Sequence, residues 1–496
     1  MNQSAQSTAS TPLLASSSPT PPPGRRILAN TGALAGSNLW RIAISFVLQL
    51  LIARKLGLDG LGQYTIALAY LNVCQVISEL GLPGLLVRDL AQAPAQRRGY
   101  FRIALGMQIV CGLLTWGGLI ALSLVLPLPP TARLALRFVG ASLPFYAITS
   151  VTQTFFQAGE RMELVMGVEF LINTLILVIS LVLIWLGHGV IQLVGVMVWT
   201  QILSAASGLW LLHRSELLAG PQEPVAFNLS ALRTRLTPFY GLALADVLLQ
   251  RVDILLLSVV GGETLTGIYS AAYNLVRVAL KLVQSFWKAL YPTLSRLYSQ
   301  QKAHYDRLAD LSLYYTLLVL LPAVALSASG AQTLLHLVYG HSSTLTGPVF
   351  QILTWSIPAF LIESYAVTLF MVEQRPLQSL AITALHVLTI ALFLPLFTYV
   401  QQTTGAAWAA VLAGGVGAAG SIWLLHRLQM PIVSMKMGMI LAASAIAGLL
   451  AAWLPLVWFI RLPIGALVYV LLIWRSGGIA PADRQTFRNA LFGRNR

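Results

Sequence analysis

Hydrophobic residues occupy this 496-residue chain in long blocks, broken by short polar or proline-containing segments. Blocks of this length, one after another, predict an all-α integral membrane protein of about fourteen spans. They lie near residues 31–54, 62–85, 104–127, 134–157, 163–187, 190–213, 237–260, 267–292, 311–338, 348–372, 377–400, 405–427, 438–458 and 460–475. The block from Gly267 to Leu297, GIYSAAYNLVRVALKLVQSFWKALYPTLSRL, breaks the apolar rule in an ordered way. Asn274, Arg277, Lys281, Gln284 and Lys288 follow one another at steps of three and four, so a helix gathers them on one face. A cation at mid-membrane costs about 3 kcal/mol on insertion scales, so such a face is expected to line water or meet an anion. The segment therefore predicts one wall of a transport cavity with an anionic cargo.

Charge then orients the spans. With Arg25 and Arg26 on the cytoplasmic side, alternation leaves Arg54, Lys55, Arg133, Arg137 and Arg461 in outward loops and Arg41, Arg251, Arg277, Lys281 and Lys288 within spans. Every other Lys and Arg then falls on the cytoplasmic side, which predicts that both termini face inward. A net charge of +15 would suggest nucleic acid for a soluble protein. With 57% hydrophobic and 9% charged residues, basic cytoplasmic loops explain it and no nucleic-acid partner is expected.

The longest loop, roughly 214–236, divides the chain near its middle. The expected organisation is a disordered tail over 1–26, a six-helix unit over 27–213, a linker over 214–236, and a second six-helix unit over 237–427. Two further helices follow over 428–475, then a basic tail over 476–496. An internal repeat supports the division. A shift of 205 residues aligns Gly57 with Gly262, Gly62 with Gly267, Tyr64 with Tyr269, Ala67 with Ala272 and Tyr100 with Tyr305. A shift of 214 aligns Pro144 with Pro358, Phe156 with Phe370 and Arg161 with Arg375. Parallel repeats of this kind place a binding site between them, near the midplane.

The repeat gives the intramembrane polar residues a common geometry. Arg41, Arg277, Lys281 and Lys288 are the candidate cavity cations. Asn72, Gln75, Asn274 and Gln284 are the candidate polar lining, and Glu79, Glu169, Asp246, Asp253 and Glu363 are candidate coupling or pairing carboxylates. Each has a plainer reading. Lys288 can snorkel to the interface, and a buried carboxylate is more often simply paired. Cys74 and Cys111 lie in apolar spans and read as packing residues, and the seven histidines are scattered, mostly at span ends. No phosphate-binding loop, metal-ligand spacing or nucleophile motif occurs, so neither an enzyme nor a cofactor is expected.

Two runs carry a resemblance. LGLDGLGQYTIALAYLNVCQVISELGLPGLLVRDLAQ (56–92) and RVDILLLSVVGGETLTGIYSAAYNLVRV (251–278) resemble the paired signatures of bacterial polysaccharide-biosynthesis membrane proteins. These are the Wzx-type oligosaccharide flippases of the multidrug/oligosaccharidyl-lipid/polysaccharide exporter superfamily. The resemblance implies two six-helix bundles rocking about a central cavity in the bacterial inner membrane. It implies a cargo of undecaprenyl-pyrophosphate-linked oligosaccharide, turned from the cytoplasmic to the outer leaflet, with H+ or Na+ coupling. A polymerase and a chain-length regulator are implied partners, and a monomer among membrane lipids suffices for the mechanism. The cationic face independently favours an anionic lipid cargo. A cation-coupled multidrug exporter, a peptidoglycan-precursor flippase and a membrane glycosyl-polymerase or ligase are the competing readings.

Overall fold

The computed structural model describes residues 23–92, 96–215, 217–219, 229–340, 343–431, 436–453 and 458–475. Most of the two tails, and residues 216 and 220–228 of the 214–236 linker, lie outside the described residues. Among the described residues the chain is helical and contains no strand.

The first half comprises α1 (Pro23–Lys55), α2 (Gly57–Glu79), α3 (Leu82–Gln92), α4 (Arg97–Val125), α5 (Pro130–Gly140), α6 (Leu143–Ala158), α7 (Met162–Trp185) and α8 (Val190–Arg214). The second half comprises α9 (Leu229–Val260), α10 (Gly262–Gln300), α11 (Lys302–Ser329), α12 (Ala331–Tyr339), α13 (Ser343–Leu353), α14 (Ser356–Val372) and α15 (Pro376–Arg427). Helices α16 (Lys436–Trp453) and α17 (Trp458–Arg475) pack on each other and on α11.

Several expected spans are not single straight helices. The span at 62–85 starts at Gly57 and ends at Glu79, where Leu80 and Gly81 take positive φ and α3 leaves at 45°. The span at 134–157 is α5 and α6, bent by 43° just before Pro144. Gly330 divides the 311–338 span into α11 and α12, and Trp355 divides the 348–372 span into α13 and α14. Conversely, 377–400 and 405–427 are two arms of α15 about a break at Gln401 and Gln402.

By length and apolarity six helices can cross a membrane, or up to eight with each bent pair taken as one span, among the described residues. The expected fourteen exceeds this because α15 counts once for its two arms and because helices such as α10, which carries Arg277, Lys281 and Lys288, are less apolar.

The sequence repeat has a direct structural counterpart. Gly57 and Gly262 open α2 and α10 with φ of 77° and 66°, a region that costs a side chain strain. Arg161 and Arg375 begin α7 and α15, each preceded by a residue with positive φ, and their amides donate to the carbonyls of Phe156 (2.8 Å) and Phe370 (2.7 Å). Helix α1 packs on α7 as α9 packs on α15.

The halves cross where α2 meets α10. A Cβ at Gly62 would lie 2.0 Å from the Glu263 carbonyl oxygen, and one at Gly267 would lie 1.8 Å from that of Leu58. Only two facing glycines allow backbones this close. Polar contacts close the same end: Thr264 donates to Asp59 (2.5 Å), and Gln63 (2.8 Å) and Thr131 (2.9 Å) donate to Glu263. Arg54 donates to the carbonyls of Val338 (2.6 Å) and Leu337 (2.7 Å). At another contact between the halves, Arg235 of α9 pairs with Asp89 of α3, and Arg88 lies over the Phe239 ring at 5.5 Å.

Since a side chain at position 267 must push backbone aside, Gly267→Val is expected to open this crossing. In a protein lacking Cys74 and Cys111, Asp59→Cys and Thr264→Cys should form a disulfide readily. Adding Gly267→Val should reduce its yield severalfold; an undiminished yield would show that the glycine contact does not hold the halves together.

Candidate functional site

The side chains at 269, 273, 277 and 281 recur every four residues along α10, a spacing that stacks them in one row. All four face a cavity with about 850 Å³ of empty space, counting the part that opens to solvent. Helix α9 supplies Gln250, Arg251 and Asp253, α14 supplies Ser356 and Phe360, and the two arms of α15 supply His386 and Gly414. Gln284 of α10 completes the polar wall.

Three cations thus share one cavity. Lys281 donates to the amide oxygens of Gln250 (3.1 Å) and Gln284 (3.0 Å), which carry no charge. The Arg277 guanidinium lies 5.1 Å from the centroid of the Tyr273 ring, and its buried Nη2 has no hydrogen-bond partner. Among the described residues no salt bridge joins Arg251, Arg277 or Lys281 to a carboxylate. The one carboxylate lining the cavity, Asp253, accepts from the Tyr269 hydroxyl (3.0 Å) and from the backbone amide of Ile254 (2.8 Å). Its oxygens are committed to α9 and α10 themselves. Asp246 is exposed and accepts from Gln250 at 2.7 Å.

The polar face expected on α10 divides. Arg277, Lys281 and Gln284 line the cavity. Asn274 is buried outside it, near Tyr339, and Lys288 is exposed two turns beyond Lys281. In the first half, Arg41, Glu79 and Glu169 gather within electrostatic range of Tyr146. Glu79 accepts from the hydroxyls of Tyr146 (2.6 Å) and Ser150 (2.8 Å). Arg41 is exposed and also lies within electrostatic range of Arg251 and Lys281 across the halves. Asn72 and Gln75 are half-buried on α2 and do not line this cavity.

Three cavity residues escaped the candidate set. Arg251 is not among the candidate cavity cations, but α9 turns it to the same space as Arg277. Tyr273 is one turn before Arg277, and that i, i+4 relation was its signal. His386 corrects the reading of the histidines as mostly span-end residues: it sits well inside the 377–400 span, bonded to Glu363 through Nδ1 and Oε2 at 2.9 Å. Glu363 is 2% exposed, and its other oxygen has no partner.

Among the described residues no group of His, Cys, Asp and Glu is arranged to hold a metal. The arrangement offers hydrogen-bond donors and positive charge to an anion, with apolar and aromatic surface beside them.

Comparison with known proteins gives the chain its relatives. No curated protein sequence matches it. Among solved structures it is similar to the lipid II flippase MurJ in an inward closed conformation, with a TM-score of 0.71 at 14% identity over 89% of this chain and 98% of that one. It is similar to an inward-facing multidrug-resistance MATE family transporter of the MOP superfamily, with a TM-score of 0.62 at 13% identity over 78% and 95%. A MOP superfamily transporter from Pyrococcus furiosus gives 0.50 at 16% over 82% and 94%. At these identities the likeness shows the fold alone, the all-helical, multi-pass fold of those proteins. The family model for polysaccharide biosynthesis proteins matches residues 27–298, more than half of the chain. The chain therefore belongs to the polysaccharide biosynthesis protein family.

Proposed function

We propose that this protein turns an undecaprenyl-pyrophosphate-linked oligosaccharide from the cytoplasmic to the outer leaflet of the bacterial inner membrane, by alternating access, for surface polysaccharide synthesis. The observation that carries this reading is the cavity that gathers Arg251, Arg277 and Lys281 against a single lining carboxylate, Asp253, and in which a buried Arg277 nitrogen lacks a partner. A pyrophosphate supplies what is missing. At an effective dielectric near 20, a phosphate about 5 Å from a cation gains roughly 3 kcal/mol, comparable to the cost of burying that cation. Guanidinium groups also bind phosphate oxygens in a fixed fork.

The drug-exporter reading is weaker on the same grounds. An organic cation would call for carboxylates lining the cavity, yet the lining holds one, Asp253, beside three cations. A flippase for a peptidoglycan precursor shares the pyrophosphate chemistry, so the family assignment to polysaccharide biosynthesis is what favours an oligosaccharide cargo. Transport rather than bond-making fits a site with cations and amides but no arranged nucleophile and base.

Charge reversal at the cavity is the direct check. Arg277→Glu or Lys281→Glu should lower surface polysaccharide at least tenfold in a complemented deletion strain, while the protein accumulates in the membrane as before. Near-normal polymer from the double variant Arg277→Ala with Lys281→Ala would remove the cavity as the cargo site. A second check concerns Arg41. If it faces the hydrated space between the halves, Arg41→Cys should react with a membrane-impermeant thiol reagent in a protein lacking Cys74 and Cys111. Complete protection in every condition would bury it in a helix contact instead.

A further inference from the structure

The last helix of each half ends on the same five residues. Trp210, Leu211, Leu212, His213 and Arg214 close α8, and Trp423, Leu424, Leu425, His426 and Arg427 close the second arm of α15. Other equivalences between the halves, such as Gly62 with Gly267 or Arg161 with Arg375, are isolated residues, whereas this run is continuous. Its geometry is duplicated as well. Leu212 and Leu425 are buried and fasten each helix end to its own core, while the Trp, His and Arg of both copies are exposed. The Arg214 guanidinium lies over the Trp210 ring at 4.7 Å, and that of Arg427 lies over the Trp423 ring at 5.4 Å. Among the described residues no salt bridge joins either arginine to a carboxylate.

Trp and Arg at a helix end often do no more than anchor it in the membrane interface. The second copy has a feature that an anchor does not need. An apolar groove lies between the two arms of α15, lined by Leu377, Ile382, Leu385, Gly420, Trp423 and Leu424, with about 820 Å³ of space counting its open side. Gly420 lets the arms close together there, since a Cβ would come within 2.8 Å of Leu385 Cδ2. The groove is separate from the cargo cavity: Leu385 lines the groove, and the next residue, His386, lines the cavity. Trp423 belongs both to the groove and to the pair with Arg427, so apolar slot and positive charge are continuous. We propose that the two WLLHR ends bind anionic phospholipids of the surrounding leaflet, with an acyl chain seated in the α15 groove. An aromatic ring takes the flat face of a guanidinium and leaves its in-plane N–H groups to a phosphate. A singly charged phosphodiester complements an arginine that no carboxylate neutralises, and the adjacent exposed histidine adds a ring N–H. Both motifs close the helix ends that the charge distribution assigns to the cytoplasmic side, the leaflet in which anionic headgroups concentrate. A polyprenyl carrier is the competing occupant. It fits less well, because the motif occurs once in each half, whereas a single cargo uses one central cavity.

The test uses the purified full-length protein and counts retained lipid by native mass spectrometry, with phosphatidylglycerol and phosphatidylcholine as probes. The wild-type protein should retain two phosphatidylglycerols in preference to phosphatidylcholine. Trp423→Leu with Arg427→Gln should remove one of them, and Trp210→Leu with Arg214→Gln the other. Each arginine change alone should weaken its own site roughly fivefold, the effect of one basic residue at an anionic lipid surface. Ala381→Trp fills the groove from an exposed position while Trp423 and Arg427 stay in place, and it should weaken the second-half site alone. Every substituted side chain is exposed, so an unchanged melting temperature is expected and checks the fold. Equal retention of the two lipids by the wild-type protein would overturn the proposal. So would undiminished phosphatidylglycerol in the variant carrying all four motif changes, which would leave both motifs as interfacial anchors. Displacement of phosphatidylglycerol by an equimolar polyprenyl phosphate would also overturn it and give the groove to the carrier lipid.

Discussion

An excess of positive charge held inside a membrane is the constraint that the rest of the structure answers. Arg251, Arg277 and Lys281 converge on one cavity, and the carboxylate that lines it, Asp253, already accepts from Tyr269 and a backbone amide. Hydrogen bonds to Gln250 and Gln284 and the face of Tyr273 moderate the charge but do not cancel it. On the proposed reading, three such cations are retained for a cargo that arrives with negative charge. The long apolar helices around them keep the dielectric low enough for that attraction to matter.

Rocking about such a cavity needs contacts that are close yet separable, and the α2–α10 crossing has both properties. Gly62 and Gly267 let two backbones touch, while the bonds around them, from Asp59 to Thr264 and from Gln63 and Thr131 to Glu263, are single polar contacts. Polar contacts of this kind contribute about 1 kcal/mol each and can be exchanged for water. The same crossing aligns the two halves of the repeat, so the cavity wall on α10 begins two residues after its closest backbone contact, at Tyr269.

Much of this was legible in the sequence. The all-helical membrane fold, the repeat equivalence of Gly62 with Gly267, and the helical row through Arg277, Lys281 and Gln284 all follow from spacing alone. What spacing could not give was direction between helices. Asn274 shares a nominal face with Arg277 but is buried outside the cavity, and Lys288 runs past the cavity's end. Arg251 and His386 enter the site only because α9 and α15 happen to be its other walls. Broken helices were missed for a related reason: Gly330 and Trp355 interrupt apolar runs without changing their hydrophobicity.

The central claim is that this cavity carries a lipid-linked anion across the membrane. Its most direct test is the leaflet distribution of undecaprenyl-linked oligosaccharide in a strain lacking the protein, read together with surface polysaccharide. Accumulation on the cytoplasmic leaflet with loss of surface polymer is the predicted result. Intact polysaccharide with new sensitivity to cationic dyes would contradict it and hand the site to the acidic residues instead.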